Sequence, residues 1–321
     1  MTRHFITGEE LSADELHALL DRALELKAAP LSSDALARQT VALIFQKPST
    51  RTRVSFEVGI VELGGHPVVV RTDELQLSRG ETVRDTALVL SRHVAAIGIR
   101  TGPDELVREL ARYATVPVIN MLTAGHHPCQ ALADLLTLRE AFGRLEGLTL
   151  AYVGDGNNVA RSLAIVGALA GVKVRVASPP GFMLEPVAGA ELFTDPAEAA
   201  TGADAVYTDV WVSMGDAESA GADSVGSSAG GGVGVRADSI ELPASRGPTI
   251  EERRAALAGY QIDDALLDRA APHAIALHCL PAHAGEEITA EVLYGERERI
   301  WDQVENRRHA QKALLELLTG V

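Results

Sequence analysis

Only two cysteines, Cys129 and Cys279, occur in 321 residues. Two thiols make no disulfide framework, and their surroundings point to reduced cysteines in a cytoplasmic protein. No apolar run approaches the ~20 residues that a membrane-spanning helix needs. The segment from Met1 to Glu10 lacks the apolar stretch of a secretory signal. Positive charge is scarce as well: 29 Lys and Arg stand against 44 Asp and Glu, a net charge of −15. That balance argues against a nucleic-acid surface. It leaves room for a local basic pocket that holds an anionic small molecule. Lysine is nearly missing, with Lys27, Lys47, Lys173 and Lys312 the only four. Most cationic chemistry must therefore come from arginine.

What is present is a regular alternation of strand and helix signals. Ser12-Ala13-Asp14-Glu15 forms a capping box ahead of Leu16, Leu19, Leu20 and Ala23 at helical spacing. Apolar strands are expected at 41–45, 67–70, 95–99 and 116–120, with helices over about 50–63, 82–93 and from Pro103. A helix opening at His126 to Gln130 links to a second series. Its strands are expected at 148–153, 172–177, 205–208 and 274–277, with helices from about 158 to 170, after Thr249 and over 303–318. This order predicts an α/β fold with two doubly wound parallel-sheet domains joined by helices, the active site lying in the interdomain crevice. Domain limits of 1–142 and 143–302 follow, with 303–321 as a C-terminal helix. Residues 216–249, rich in Gly, Ser and Ala, read as a flexible insertion. At 321 residues and 46% hydrophobic, the chain can fill two such cores.

The most informative stretch is 45–57, Phe-Gln-Lys-Pro-Ser-Thr-Arg-Thr-Arg-Val-Ser-Phe-Glu. Pro48 ends a buried strand, and Ser49 or Thr50 can cap the helix that follows. Val54, Val58 and Val61 are expected to give that helix its buried face. Ser49, Thr50, Arg51 and Thr52 then sit at a helix N-terminus. Free N–H groups, hydroxyls and a guanidinium together make a phosphate cradle there.

Other polar groups also follow strands. Arg100, Asn158, Asp209 to Met214 and His278-Cys279 do so, which makes them candidates for one crevice. His127 is either a structural cap or, with Gln130 one turn on, a holder of a carbonyl oxygen. His126, His127, Cys129 and Cys279 match no standard zinc spacing, so no metal is expected. Gly154-Asp155-Gly156 suggests a dinucleotide loop, but Val159 replaces the third glycine and Ser178 stands where an acid should end the next strand. A nicotinamide cofactor is therefore not expected. Cys279 as a nucleophile lacks a base, because alternation along the strand turns His278 away. Lining the pocket or filling a buried strand end both remain open for it.

Ser49-Thr-Arg-Thr-Arg53 resembles the phosphate signature of the aspartate and ornithine carbamoyltransferases. Asp209-Val-Trp-Val-Ser213-Met214-Gly215 is similar to the Asp-x-Trp-x-Ser-Met-Gly motif of the ornithine branch. His278-Cys279-Leu280-Pro281 resembles its His-Cys-Leu-Pro motif, and His127-Pro-Cys-Gln130 fits its His-Pro-x-Gln pattern. The match runs nearly the whole chain in order. The resemblance implies carbamoyl transfer from carbamoyl phosphate to the side-chain amine of ornithine, with no metal or organic cofactor. It assigns Ser49, Thr50, Arg51, Thr52, Gln76, Arg100, His127, Gln130, Cys279, Leu280 and Arg307 to carbamoyl phosphate. Asn158, Asp209, Ser213 and Met214 fall to ornithine, and Arg51, Arg100, His127 and Cys279 form the catalytic set. It further implies a homotrimer in which the 74–81 loop reaches a neighbour, and a last helix that packs back on the first domain. Two departures stand out: the long 216–249 segment, and a stretch from Gly181 to Thr194 shortened by about a helix. The competing readings are a carbamoyltransferase for another amine such as putrescine, and a non-catalytic binding subunit.

Overall fold

A computed structural model describes residues 2–71, 74–75, 80–212 and 248–320. The expected insertion therefore lies outside the described residues, apart from its last two positions. The first half runs α1 (Ala13–Ala28), β1 (Thr40–Phe45), α2 (Thr50–Glu62), β2 (His66–Arg71), α3 (Val83–Leu90), β3 (Ala96–Arg100), α4 (Asp104–Tyr113) and β4 (Val118–Leu122). Its strands form a parallel sheet in the order β2-β1-β3-β4. A long helix, α5 (Pro128–Phe142), leads to the second half. There follow β5 (Thr149–Val153), α6 (Asn158–Leu169), β6 (Lys173–Ala177), β7 (Ala190–Phe193), α7 (Pro196–Ala200) and β8 (Ala205–Thr208). After the undescribed stretch come α8 (Ile250–Leu257), α9 (Asp264–Leu267), β9 (Ile275–His278), α10 (Ala290–Leu293) and α11 (Ile300–Thr319). The second sheet is parallel too, in the order β7-β6-β5-β8-β9. The predicted two-sheet α/β architecture is what the chain adopts.

Local chemistry explains the element limits. Ser12 and Glu15 exchange the two bonds of the expected capping box, and Thr249 and Glu252 do the same for α8. Gly143 ends α5 in the left-handed conformation that glycine adopts without a Cβ penalty. Helix α11 packs on α1, α2 and α5, while α5 packs on α6. Leu132 and Leu135 of α5, Leu163 of α6, Tyr152, Tyr207 and Leu314 belong to one core that joins both sheets. Each fully buried leucine there contributes about 1.5–3 kcal/mol relative to exposure.

The buried face of α2 differs from expectation. Val54, Val58 and Val61 are 52%, 37% and 60% exposed. The buried stripe is Thr52, Ser55, Phe56, Gly59 and Ile60 instead. Gly59 is the reason α11 can come so close, since a Cβ there would sit 3.2 Å from the Lys312 side chain. Hydropathy favoured the valines, but the arrival of α11 decided the face. Strand β7 and the short helices α7, α9 and α10 escaped notice, because four or five residues carry too little periodicity. Helix α3 stops at Leu90, short of His93, and α11 begins at Ile300, one turn before Gln303.

Candidate active site

Both sheets reverse strand order once, and each reversal opens onto the same crevice. In the first sheet β1 has β2 on one side and β3 on the other, so chain leaving Phe45 and Arg100 diverges from paired positions. In the second sheet β5 and β8 flank the reversal, with Tyr152 beside Tyr207. Such switch points are where α/β sheets bind ligands. The resulting crevice is about 810 Å³. Ser49 to Thr52, Arg100 and His127 line it from the first half; Asn158, Asp209, Cys279 and Leu280 line it from the second, and Arg307 of α11 joins them.

The first half is cationic. Ser49 is the N-cap of α2, yet its hydroxyl makes no capping bond. Arg307, only 3% exposed, donates to Thr52 Oγ1 at 2.7 Å and to the Gln130 side-chain oxygen. Burial, together with Arg307 and Arg51, brings the Arg100 guanidinium down to about 10. Arg307 is lowered by burial as well. Burial and the charges of Arg307, Arg100 and Arg51 hold His127 well below the usual histidine range, so its imidazole is neutral. Its backbone N–H donates to Ser162 Oγ at 2.7 Å, tying the start of α5 to α6. Crowded guanidiniums of this kind favour an anion, which would relieve their mutual repulsion and accept their hydrogen bonds.

The second half centres on a carboxylate. Asp209 follows β8 and accepts from Asn157 Nδ2 at 2.8 Å, from Cys279 Sγ at 2.8 Å and from the Val210 N–H at 2.8 Å. Asn157 also caps α6, its Oδ1 accepting from the Val159 and Ala160 amides. Asn158 reaches across the crevice and donates to the Thr123 carbonyl at 2.6 Å. Arg253 of α8 pairs with Asp155 at 2.6 Å, and both line the crevice. Gly156 has room for no side chain, since a Cβ would lie 2.1 Å from the Leu184 nitrogen. This glycine serves loop packing.

Most of the residues singled out in the sequence converge. Gln130 does not line the crevice. It sits fully buried behind Arg307 and donates to Asp134 Oδ1 at 2.7 Å. Gln76, Ser213 and Met214 lie outside the described residues. Cys279 is a thiol held by Asp209, and burial followed by that carboxylate pushes its pKa well up, which speaks against a nucleophilic thiolate. Cys129 donates to the Asn120 carbonyl and is pushed up to about 12 by burial. Among the described residues His126, His127, Cys129 and Cys279 form no metal-ligand cluster. Asp209, His278 and Cys279 do present ligand atoms within 4.8 Å of one another, but both ring nitrogens of His278 are already engaged. Sequence reasoning missed Asn157, Asp155 and Arg253. Only Asn157 carried a signal, as a capping residue after a strand.

Residues 3–140 match the carbamoyl-P binding domain of the aspartate/ornithine carbamoyltransferases, and residues 146–318 match their Asp/Orn binding domain. A protein of Acidothermus cellulolyticus called ornithine carbamoyltransferase is 49% identical, covering 99% of this chain and 97% of its own length. One of the same name from Parafrankia is 48% identical over 98% of this chain and 96% of its own. The solved structure of ornithine carbamoyltransferase from Thermus thermophilus superposes with a TM-score of 0.84 at 41% identity, covering 99% of each chain. That from Pyrococcus furiosus gives 0.85 at 41% identity, covering 99% of this chain and 97% of its own.

Proposed function

The chain belongs to the aspartate/ornithine carbamoyltransferase family, and on that premise we propose how its crevice divides the work. The enzyme transfers the carbamoyl group of carbamoyl phosphate to the side-chain amine of L-ornithine, giving L-citrulline and phosphate. In our reading the first half holds carbamoyl phosphate and the second holds ornithine. The observation that carries this is the opposition of charge across one crevice: Arg51, Arg100 and Arg307 on one side, the Asp209 carboxylate on the other.

Ser49, Thr50, Arg51 and Thr52 cradle the phosphate at the start of α2, with Arg307 beside Thr52. Gln130 acts from behind by fixing Arg307. Arg100, the neutral His127 and the Thr52 hydroxyl face the carbonyl oxygen, which gains negative charge as the tetrahedral centre forms. The neutral amine forms the new C–N bond, the C–O bond to phosphate breaks, and the proton lost by nitrogen passes to the departing phosphate. Asp209 attracts the α-ammonium of ornithine and so leaves the side-chain amine free to attack. Asn158 and Cys279 border the same space, and Gln76, Ser213 and Met214 complete the proposed set. Holding both substrates in one crevice supplies the rest. This chemistry calls for no metal or organic cofactor.

We further propose a cytoplasmic homotrimer, with domain limits near 142 and 302. A citrulline assay on the purified protein, with ornithine and putrescine compared, tests the reading. Turnover of ornithine but not putrescine supports it. A preference for putrescine would move the assignment to another amine.

A further inference from the structure

Behind the crevice wall lies a buried acid–imidazole pair that the reaction above does not use. His278 ends β9 and Glu287 precedes α10; both are fully buried. His278 Nε2 lies 3.1 Å from Glu287 Oε1. Its Nδ1 lies 2.8 Å from the Leu280 nitrogen, whose N–H donates to it. A ring nitrogen that accepts a hydrogen bond carries no proton. The proton therefore sits on Nε2, and this N–H donates a hydrogen bond to Glu287 Oε1. The same carboxylate oxygen accepts from the His283 N–H at 2.5 Å. One carboxylate thus clamps the strand end and the far side of the loop that follows it.

The held residue explains the clamp. Leu280 has φ +59°, a left-handed conformation that a residue with a Cβ adopts only under constraint. It also lines the crevice beside Cys279. The loop keeps this geometry because the imidazole accepts the Leu280 N–H, and the imidazole keeps its orientation because its Nε2–H donates a hydrogen bond to Glu287.

We propose that Glu287 is a positioning residue, acting through the Nε2–H tautomer of His278 to set the Leu280 backbone in the crevice, and that His278 transfers no proton in the reaction. The kinetic consequence rests on the reading that Leu280, at the edge of the second half, contacts carbamoyl phosphate across the crevice. The tautomer does not depend on that reading.

The test uses the intact enzyme with 15N-labelled histidine. His278 is assigned by the signal that vanishes in His278→Gln. Long-range 1H–15N correlation is expected to show a bare Nδ1 and a protonated Nε2. A protonated Nδ1, or a doubly protonated ring, would overturn the proposal whatever the enzyme's substrate. The kinetic arm compares Glu287→Met with Glu287→Gln. Both donors converge on Oε1, and Oε2 has no hydrogen-bond partner among the described residues, so Gln can serve both. Glu287→Met is expected to raise KM for carbamoyl phosphate by at least about tenfold, the scale of a small misplacement in a site, and Glu287→Gln to restore it. Loss in thermal stability with an unchanged KM would reduce Glu287 to a structural role. Should Glu287→Met fail to fold, the tautomer measurement still decides.

Discussion

The two sheets are built alike and furnished oppositely. Each is parallel, reverses strand order once, and opens its reversal on the same crevice. At the first, the groups are guanidiniums that disfavour one another's charge, Arg100 being brought down to about 10 by burial and by its cationic neighbours. At the second, a carboxylate is surrounded by donors, Asn157, Cys279 and the Val210 amide. Among the described residues, the arginine that lines the crevice from that half, Arg253, is paired with Asp155. The difference teaches that topology supplies the place while side chains choose the ligand. A switch point gathers loop residues whatever their charge. A cluster of cations then favours an anion, and a lone carboxylate favours an ammonium group.

The contrast breaks most completely at Arg51. Arg51→Ala is expected to abolish turnover, with a loss of at least ~2–3 kcal/mol in carbamoyl phosphate binding, the scale of a charged hydrogen bond. Steady-state rates and calorimetry with inorganic phosphate would read it. Near-normal rate and affinity in the variant would end the cradle assignment.

Asp209 sharpens the comparison from the other side. Asp209→Asn keeps the shape but must turn an NH2 group toward one of the donors it now accepts from. KM for ornithine is expected to rise strongly, by ~2–5 kcal/mol as for one truncated partner of a buried charge pair. Phosphate binding to the free enzyme should barely change. Equal weakening for both ligands would remove Asp209 from the amino-acid half.

The smallest effect on turnover is expected at the seam between the halves. Asp134 of α5 accepts from Gln130 and from Gln303 of α11, and it touches Tyr207 of β8. Burial raises it to about 7, against ~3.9 in an unfolded chain. Between those values the folded state holds the extra proton. This group's contribution to stability is therefore full below about pH 4, falls as pH rises toward about 7, and levels off above. Asp134→Asn removes that slope. Urea midpoints should favour the variant more at about pH 8 than at about pH 5, and an equal difference at both would mean the acid is not raised.

Much of this was legible in the chain. Strand ends followed by Ser49-Thr-Arg-Thr, Arg100, Asn158, Asp209 and His278-Cys279 mark the carboxyl edges of two parallel sheets, and those edges are where ligands bind. Single residues that act through a partner were not legible. Glu287 reads as a surface acid before a helix until His278 is found against it. Asp134 reads as a polar position on an apolar helix until two glutamines and a tyrosine enclose it. Val54, Val58 and Val61 read as core until α11 takes the neighbouring face.

The sequence by itself determined the alternation of the longer strands and helices, the lack of cysteines for a disulfide framework and the polar residues that follow the main strands, because period, capping and turn chemistry act over a few neighbours. Only the tertiary structure decided which face of α2 is buried, that Gln130 serves Arg307 from behind, and that His278 Nε2 meets Glu287. Those outcomes depend on contacts between residues far apart in the chain, where burial raises the cost of every unpaired charge or hydrogen bond and so leaves few arrangements that satisfy them all.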